Sequence, residues 1–519
     1  MPHSYFGGLG LSDDQWYSRQ PMSEQTLSIQ PVPDLPPRDQ PVVPAQSVFP
    51  YSSRWSLVVS GVCAGILIAA LGAILWFSVT SPKLQRFEEP DRALDLMVSR
   101  MLDAQDSLRR APQWQQWLAD WTMGGDDETR EQAVEWYREL VETTDNPLSK
   151  LRLAILLGES GHETAALAAA KGRQSHGTSA LLFGQLIEAA YGPQPLDRTQ
   201  EVELQAALAE ALPSGWFYDH LAARLARRAN DQDLLATVEG QRAIREDRVR
   251  QWIRPLIIFE LVCLAMGSAM LVGVAGLWGQ RMDILHLHVP GVPPPWSGGT
   301  AAAVILRGGA CGIVMTAVML SNSSFEHAPL RVWVIPLAYL PLLALAYVHL
   351  LRPAGLTVAN GFGLGIKREN LGRLARIVLA VVAAGLWGEW VMGRAAEFLN
   401  LNNHWTEWFD QNLVWETPSV MAVSVLEYVI FAPIFEELAF RGLLFAMLRR
   451  RFEFLPAALI STSLFALAHG YSVIGFLSVF WSGFLWAWTY ERTGSLIPGM
   501  VAHATNNLLV CLTMMALLR

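Results

Sequence analysis

Charge is what this chain has least of. Asp, Glu, Lys and Arg make up 17% of its 519 residues, against 52% hydrophobic residues and a positive mean hydropathy. That balance excludes an ordinary soluble enzyme and suits a polytopic membrane protein with one water-soluble region. The formal charge of −8 comes without any basic block, which argues against a nucleic-acid partner. Cysteine is scarce as well. The four present, Cys63, Cys263, Cys311 and Cys511, lie far apart in apolar runs. They form neither a disulfide framework nor a metal knuckle and read as small buried hydrophobes. No apolar stretch opens the chain, so no signal peptide is expected there.

What is present falls into blocks. Residues 1–54 are rich in Pro, Gln and Ser and read as a disordered tail, too polar to bury a core. A run from about Ser56 to Thr80 is long enough to cross a bilayer, giving a span over 55–80. Across 81–250 charges return and apolar residues recur at helical spacing, as in Ala133, Val134, Trp136, Tyr137, Leu140 and Val141. This predicts a soluble helical domain of antiparallel hairpins with the look of a repeat array, though no fixed period emerges. A docking or adaptor surface for a protein partner is the default reading of that domain. Further spans are expected near 256–278, 299–320, 332–350, 373–392, 419–448, 455–471, 473–490 and 496–518. With the first span they total nine: an all-α polytopic membrane protein with an inserted helical domain, accessory spans over 255–350 and a further domain over 370–518.

Orientation follows from Lys and Arg. Arg352, Lys367, Arg368, Arg373 and Arg376 cluster in one loop and Arg449, Arg450 and Arg451 in another, so both loops are expected in the cytoplasm. Parity then places the 81–250 domain outside it. Arg245, Arg248, Arg250 and Arg254 oppose this, but large translocated domains obey the rule weakly. A bacterial inner membrane is the expected location.

Ionisable residues recur where hydrocarbon should be. Glu436, Glu437 and Arg441 fall in one apolar helix, and His469 and His503 interrupt later ones. Each costs about 2.5–3.5 kcal/mol at a bilayer centre even on the mildest scale, so each suggests function. Glu437 and Arg441 are i, i+4 neighbours and can pair. Glu436 is poorly placed for that pair, which leaves it as the free carboxylate and candidate general base. Phe465 and His469 share a face, as do His503 and Asn507. At 1.5 Å per residue, Glu436 and His469 both lie about 20 Å from the cytoplasmic end, but His503 only about 10 Å. The last helix must therefore start below the surface, which Gly494, Pro498 and Gly499 permit. Glu260, Arg307 and His349 read as helix-end snorkelling or packing; Glu427 has no assigned role. The Gly-rich stretch Asn360–Gly365 is not a phosphate loop, since no Lys-Ser/Thr follows it.

Taken in order, EExxxR (Glu436, Glu437, Arg441), FxxxH (Phe465, His469) and HxxxN (His503, Asn507) resemble the three motifs of the CPBP intramembrane protease family. That family includes type II CAAX prenyl endopeptidases and Abi-like bacterial relatives tied to bacteriocin self-immunity. The resemblance covers about residues 370–518. It implies peptide-bond hydrolysis in the membrane, on a membrane-associated protein or peptide. Glu436, helped by His469, would activate water, with His503 and Asn507 as oxyanion donors and Glu437, Arg441 and Phe465 as structural support. No cofactor is required by this scheme. A zinc ion held by Glu436, His469 and His503 is the rival mechanism, although no HExxH helix is present. A catalytically silent immunity or scaffold protein is a second rival. A proton-coupled transporter is a third, which the lack of an inverted repeat disfavours.

Overall fold

The computed structural model describes residues 54–117, 126–144, 146–171, 178–276, 292–322, 328–399, 404–407 and 409–519, with Leu285, Leu287 and Leu401 between them. The tail expected over 1–54 lies outside the described residues, except for Arg54. Among the described residues every regular element is helical. Helix α1 (Arg54–Thr80) leads into a helical domain: α2 (Pro90–Arg109), α3 (Asp126–Thr143), α4 (Pro147–Glu159), α5 (Glu163–Lys171), α6 (Thr178–Tyr191), α7 (Arg198–Ala211) and α8 (Trp216–Ala229). Helix α9 (Gln232–Gly276) begins in that domain and ends as an apolar span, 45 residues without a break. The helix therefore runs unbroken across the expected boundary at 250–255. Pro255 sits inside the helix where the charged part meets the apolar part.

The membrane part continues with α10 (Gly298–Leu320), α11 (Val334–Ala346), α12 (Leu371–Phe398), α13 (Pro418–Leu448), α14 (Phe454–Leu467), α15 (Val473–Thr493) and α16 (Ile497–Leu518). Among the described residues, eight helices are long and apolar enough to cross a membrane. The ninth expected span, 455–471, is corrected: α14 has 14 residues, about 21 Å of helix against roughly 30 Å of hydrocarbon. Pairings between helices use polar groups sparingly. Arg307, in the body of α10 and not at its end, donates to Ser56 O and Ser56 Oγ of α1 at 2.8 and 2.7 Å, and to Ser60 Oγ. Helix α1 has no buried residue of its own, so that clasp anchors it. Glu427, unassigned from sequence, pairs with Arg331 at 3.2 Å. Cys263 and Cys511 are buried, but Cys311 is exposed on its apolar helix and Cys63 half-exposed.

The helical domain and the membrane part share a core. Leu94, Trp216 and Leu221 of the domain belong to the same buried apolar cluster as Trp405, Phe409, Leu413, Val414, Met514 and Leu518. His404 Nε2 also meets Glu139 of α3 at 2.9 Å. The domain thus sits at the Pro418 end of α13, and Arg449–Arg451 follow its other end.

A buried polar network stiffens the domain. Asp106 accepts from Trp216 Nε1 at 2.8 Å, Arg130 Nη2 at 3.2 Å and Arg242 Nη2, and lies 3.1 Å from His220 Nε2. The other ring nitrogen of His220 lies 3.2 Å from Glu159, so both face carboxylates and both carry hydrogen. Burial opposes charge on Asp106, yet the bonds from His220 and its basic neighbours outweigh it and hold the carboxyl at about 2. Burial likewise presses His220 down, but Asp106 and Glu159 outweigh it and raise the imidazole above its ordinary range. Raised, His220 stabilises fully below about pH 6.5, and that share fades as pH climbs through its folded value. Asp106, depressed, contributes fully above about pH 4 and loses its share toward pH 2. Protection of α8 against hydrogen exchange, corrected for intrinsic rates, is expected to be flat between these limits and to fall at the alkaline edge. In His220→Gln that alkaline fall should vanish along with part of the protection.

Candidate active site

Helix α13 is not a plain α-helix. It carries two π-helical stretches, Glu427–Phe431 and Glu437–Phe445, in which bonds run from residue i to i−5. The second places the motif side chains. Arg441 Nη1 donates to Glu437 Oε1 at 2.9 Å, with both side chains essentially out of solvent. Its guanidinium lies 4.2 Å from the Phe465 ring centre and 5.1 Å from that of Trp486. Opposite, α15 presents Gly483, where any Cβ would come within 2.5 Å of Arg441 Nη2. Only a missing side chain lets the two helices close over this charge.

The last helix reaches the group because its start is tucked under another segment. Ser495 Oγ donates to Gly363 O, Leu496 N donates to Phe362 O at 3.3 Å, and Ser495 and Leu496 are buried. Gly363 has φ of 63°, and a Cβ there would lie 2.2 Å from Gly494 O. The Gly-rich stretch that fits no phosphate loop is therefore the seat of α16. From that seat His503 stacks on Trp486, with ring centres 4.0 Å apart, and brings Nδ1 to 3.3 Å from Glu437 Oε1. Its Nε2 lies 3.9 Å from Glu436 Oε2.

The two adjacent glutamates thus live differently. Glu437 is 1% exposed and engaged by Arg441 and His503; the Glu436 side chain is 20% exposed, with His503 Nε2 3.9 Å away. His469 lies off its expected helix. Helix α14 ends at Leu467, and His469 occupies the turn before Gly470, whose φ is 65°. Its Nδ1 is 2.8 Å from Phe465 O. A carbonyl oxygen only accepts, so Nδ1 carries the proton and Nε2 keeps the lone pair.

Asn507 is joined to the first π stretch. There Ala432 N–H serves Glu427 O; the next donor in that register would be Pro433, which has none. Tyr428 O takes Asn507 Nδ2 instead, at 2.8 Å. Asn507→Ala is expected to cost about 1 kcal/mol, read as a lower unfolding midpoint in detergent. Asn507→Asp, setting acceptor against acceptor, should cost more.

Trp486, Gly483 and the Tyr428 carbonyl went unflagged in the sequence. Trp486 is one of 20 tryptophans, and nothing in its spacing marks it. The zinc reading needs Glu436, His469 and His503 to converge on one point. Among the described residues no three His, Cys, Asp or Glu side chains do so, and His503 holds Nδ1 against Glu437 instead. The residues as placed do not fit a metal.

No curated protein and no solved structure matches the chain. A protein-family model described as "Type II CAAX prenyl endopeptidase Rce1-like" matches residues 418–509. That stretch runs from the start of α13 to Leu509 in α16; α12 and the helical domain lie outside it. Over residues 418–509, the stretch that holds the EExxxR, FxxxH and HxxxN motifs, the chain is similar to the Rce1-like type II CAAX prenyl endopeptidases.

Proposed function

We propose that this protein is an endopeptidase that cleaves membrane-associated proteins or peptides with a water molecule activated by Glu436 and His469. The observation that carries the reading is the division between the two glutamates. Glu437 is consumed by a buried ion pair, whereas Glu436 keeps a partly exposed carboxylate near His503. A carboxylate free of an ion pair, in a site poor in bulk water, can take a proton from an attacking water. His469, with Nε2 unprotonated, can share that proton. Attack on the scissile carbonyl then builds negative charge on its oxygen. His503, as an imidazolium with hydrogen on Nε2 as well as on the Nδ1 held by Glu437, and the second N–H of Asn507 are the donors we assign to it, each worth about 2.7–4 kcal/mol where such donors have been removed in other hydrolases. The bond from Asn507 to Tyr428 O fixes how that amide is turned.

No metal enters this scheme. The Arg/Lys-rich loops at the Leu448 end of α13, taken as cytoplasmic, put the helical domain on the far side, where it could present or select substrate. The test compares peptide termini in membranes from cells expressing wild type or Glu436→Gln at matched levels. New termini with wild type alone support proteolysis. Identical termini, with both proteins folded and abundant, leave the silent scaffold reading in its place.

A further inference from the structure

At the seam between the helical domain and the membrane part lies a cleft of about 460 Å³, within the size range of small-ligand sites. One wall is apolar: Val414, Trp415 and Leu518, the last closing the membrane helix α16. The other is basic. Arg92, Arg100, Arg152, Arg245 and Arg519 line it with Asp95 and Asp103, while Glu89 pairs with Arg92 and Asp219 with Arg245. The carboxylates are committed: Asp95 to Arg152 at 2.8 Å and Asp103 to Arg245 at 3.5 Å.

Two arginines have capacity left. The Arg152 side chain is 5% exposed, and its Nε has no hydrogen-bond partner among the described residues. A buried, unanswered donor of a charged group is costly unless something answers it. Arg100, half-buried on the same helix as Asp103, has no hydrogen-bond or ion-pair partner among the described residues. Arg92 sits over Trp415 at 4.8 Å, where the polar wall meets the apolar one. Planar guanidinium groups converging on one space suit a phosphate, whose oxygens accept their forked donors.

We propose that this cleft binds a phosphate-bearing anion, with an anionic phospholipid headgroup as the occupant its mixed walls favour. The arginines would take the phosphate, while Trp415, Val414 and Leu518 border the apolar part of the lipid. The site is remote from Glu436, about 18 residues along α13 from Pro418, or some 27 Å of helix. It does not depend on the proteolytic reading, and a silent scaffold would bind equally well.

The test uses the full chain in phosphatidylcholine nanodiscs, with phosphatidylglycerol added in one arm and inorganic phosphate in the other. At a hundredfold excess over Kd, a bound anion should raise the unfolding midpoint by about 2–3 °C. Arg92→Ala/Arg100→Ala should unfold like wild type in phosphatidylcholine alone, since neither residue closes a buried pair, but bind about tenfold or more weakly. A shift with phosphatidylglycerol alone identifies the lipid headgroup; a shift in both arms supports the phosphate site and makes the free ion sufficient. No shift in either arm, or an equal shift in the double variant, overturns the proposal.

Discussion

Glu436→Gln is expected to lower peptide hydrolysis by about 10²–10⁴-fold while leaving folded yield near wild type. The substitution keeps shape and volume and removes only the proton acceptor. Its structural cost should be small, because the side chain is partly exposed and its contact with His503 Nε2 is a long one, 3.9 Å. The His503–Glu437 contact, which orders that ring, does not involve Glu436. Turnover of a fluorogenic peptide by the purified protein, set beside the termini produced in membranes, reads the loss directly. A variant that keeps most of its turnover would move the base to His469 and remove Glu436 from the mechanism.

Arg441→Met should produce the largest loss of folded protein of any single change in the membrane part. It leaves Glu437, buried beside it, as an uncompensated charge, a situation that costs about 3–5 kcal/mol in buried pairs. It also strips the cation from between Phe465 and Trp486. Arg441→Lys should rescue little, since an ammonium has no planar face to lay on the Phe465 ring. The double variant Arg441→Met/Glu437→Gln is expected to regain much of the yield by discarding both charges. Size-exclusion recovery and thermal unfolding in detergent measure each. Wild-type recovery of the single variant would show that the pair contributes nothing to folding.

The membrane helices were legible in sequence because apolar length is a strong signal. The motif charges were legible because ionisable groups inside such runs are rare. Less could be read where structure depends on distant partners. His469 left its helix because Gly470 turns the chain in the left-handed region three residues past Leu467. The register of α13 shifted because two π stretches intervene, and spacing rules built on 3.6 residues per turn do not announce them. Helix α9 looked like a domain followed by a span because arginines and Pro255 mark its middle. The seam was invisible, since it joins residues such as Leu94 and Leu518 that lie far apart in the chain.

That unbroken α9 makes the joint between domain and membrane a matter of angle as much as distance. A helix of 45 residues fixes about 68 Å of separation end to end, and each residue added within it would turn whatever follows by about 100°. The shared core tolerates one such phase and few others. Variation in chain length between the two parts therefore cannot accumulate within the helix that sets their bearing.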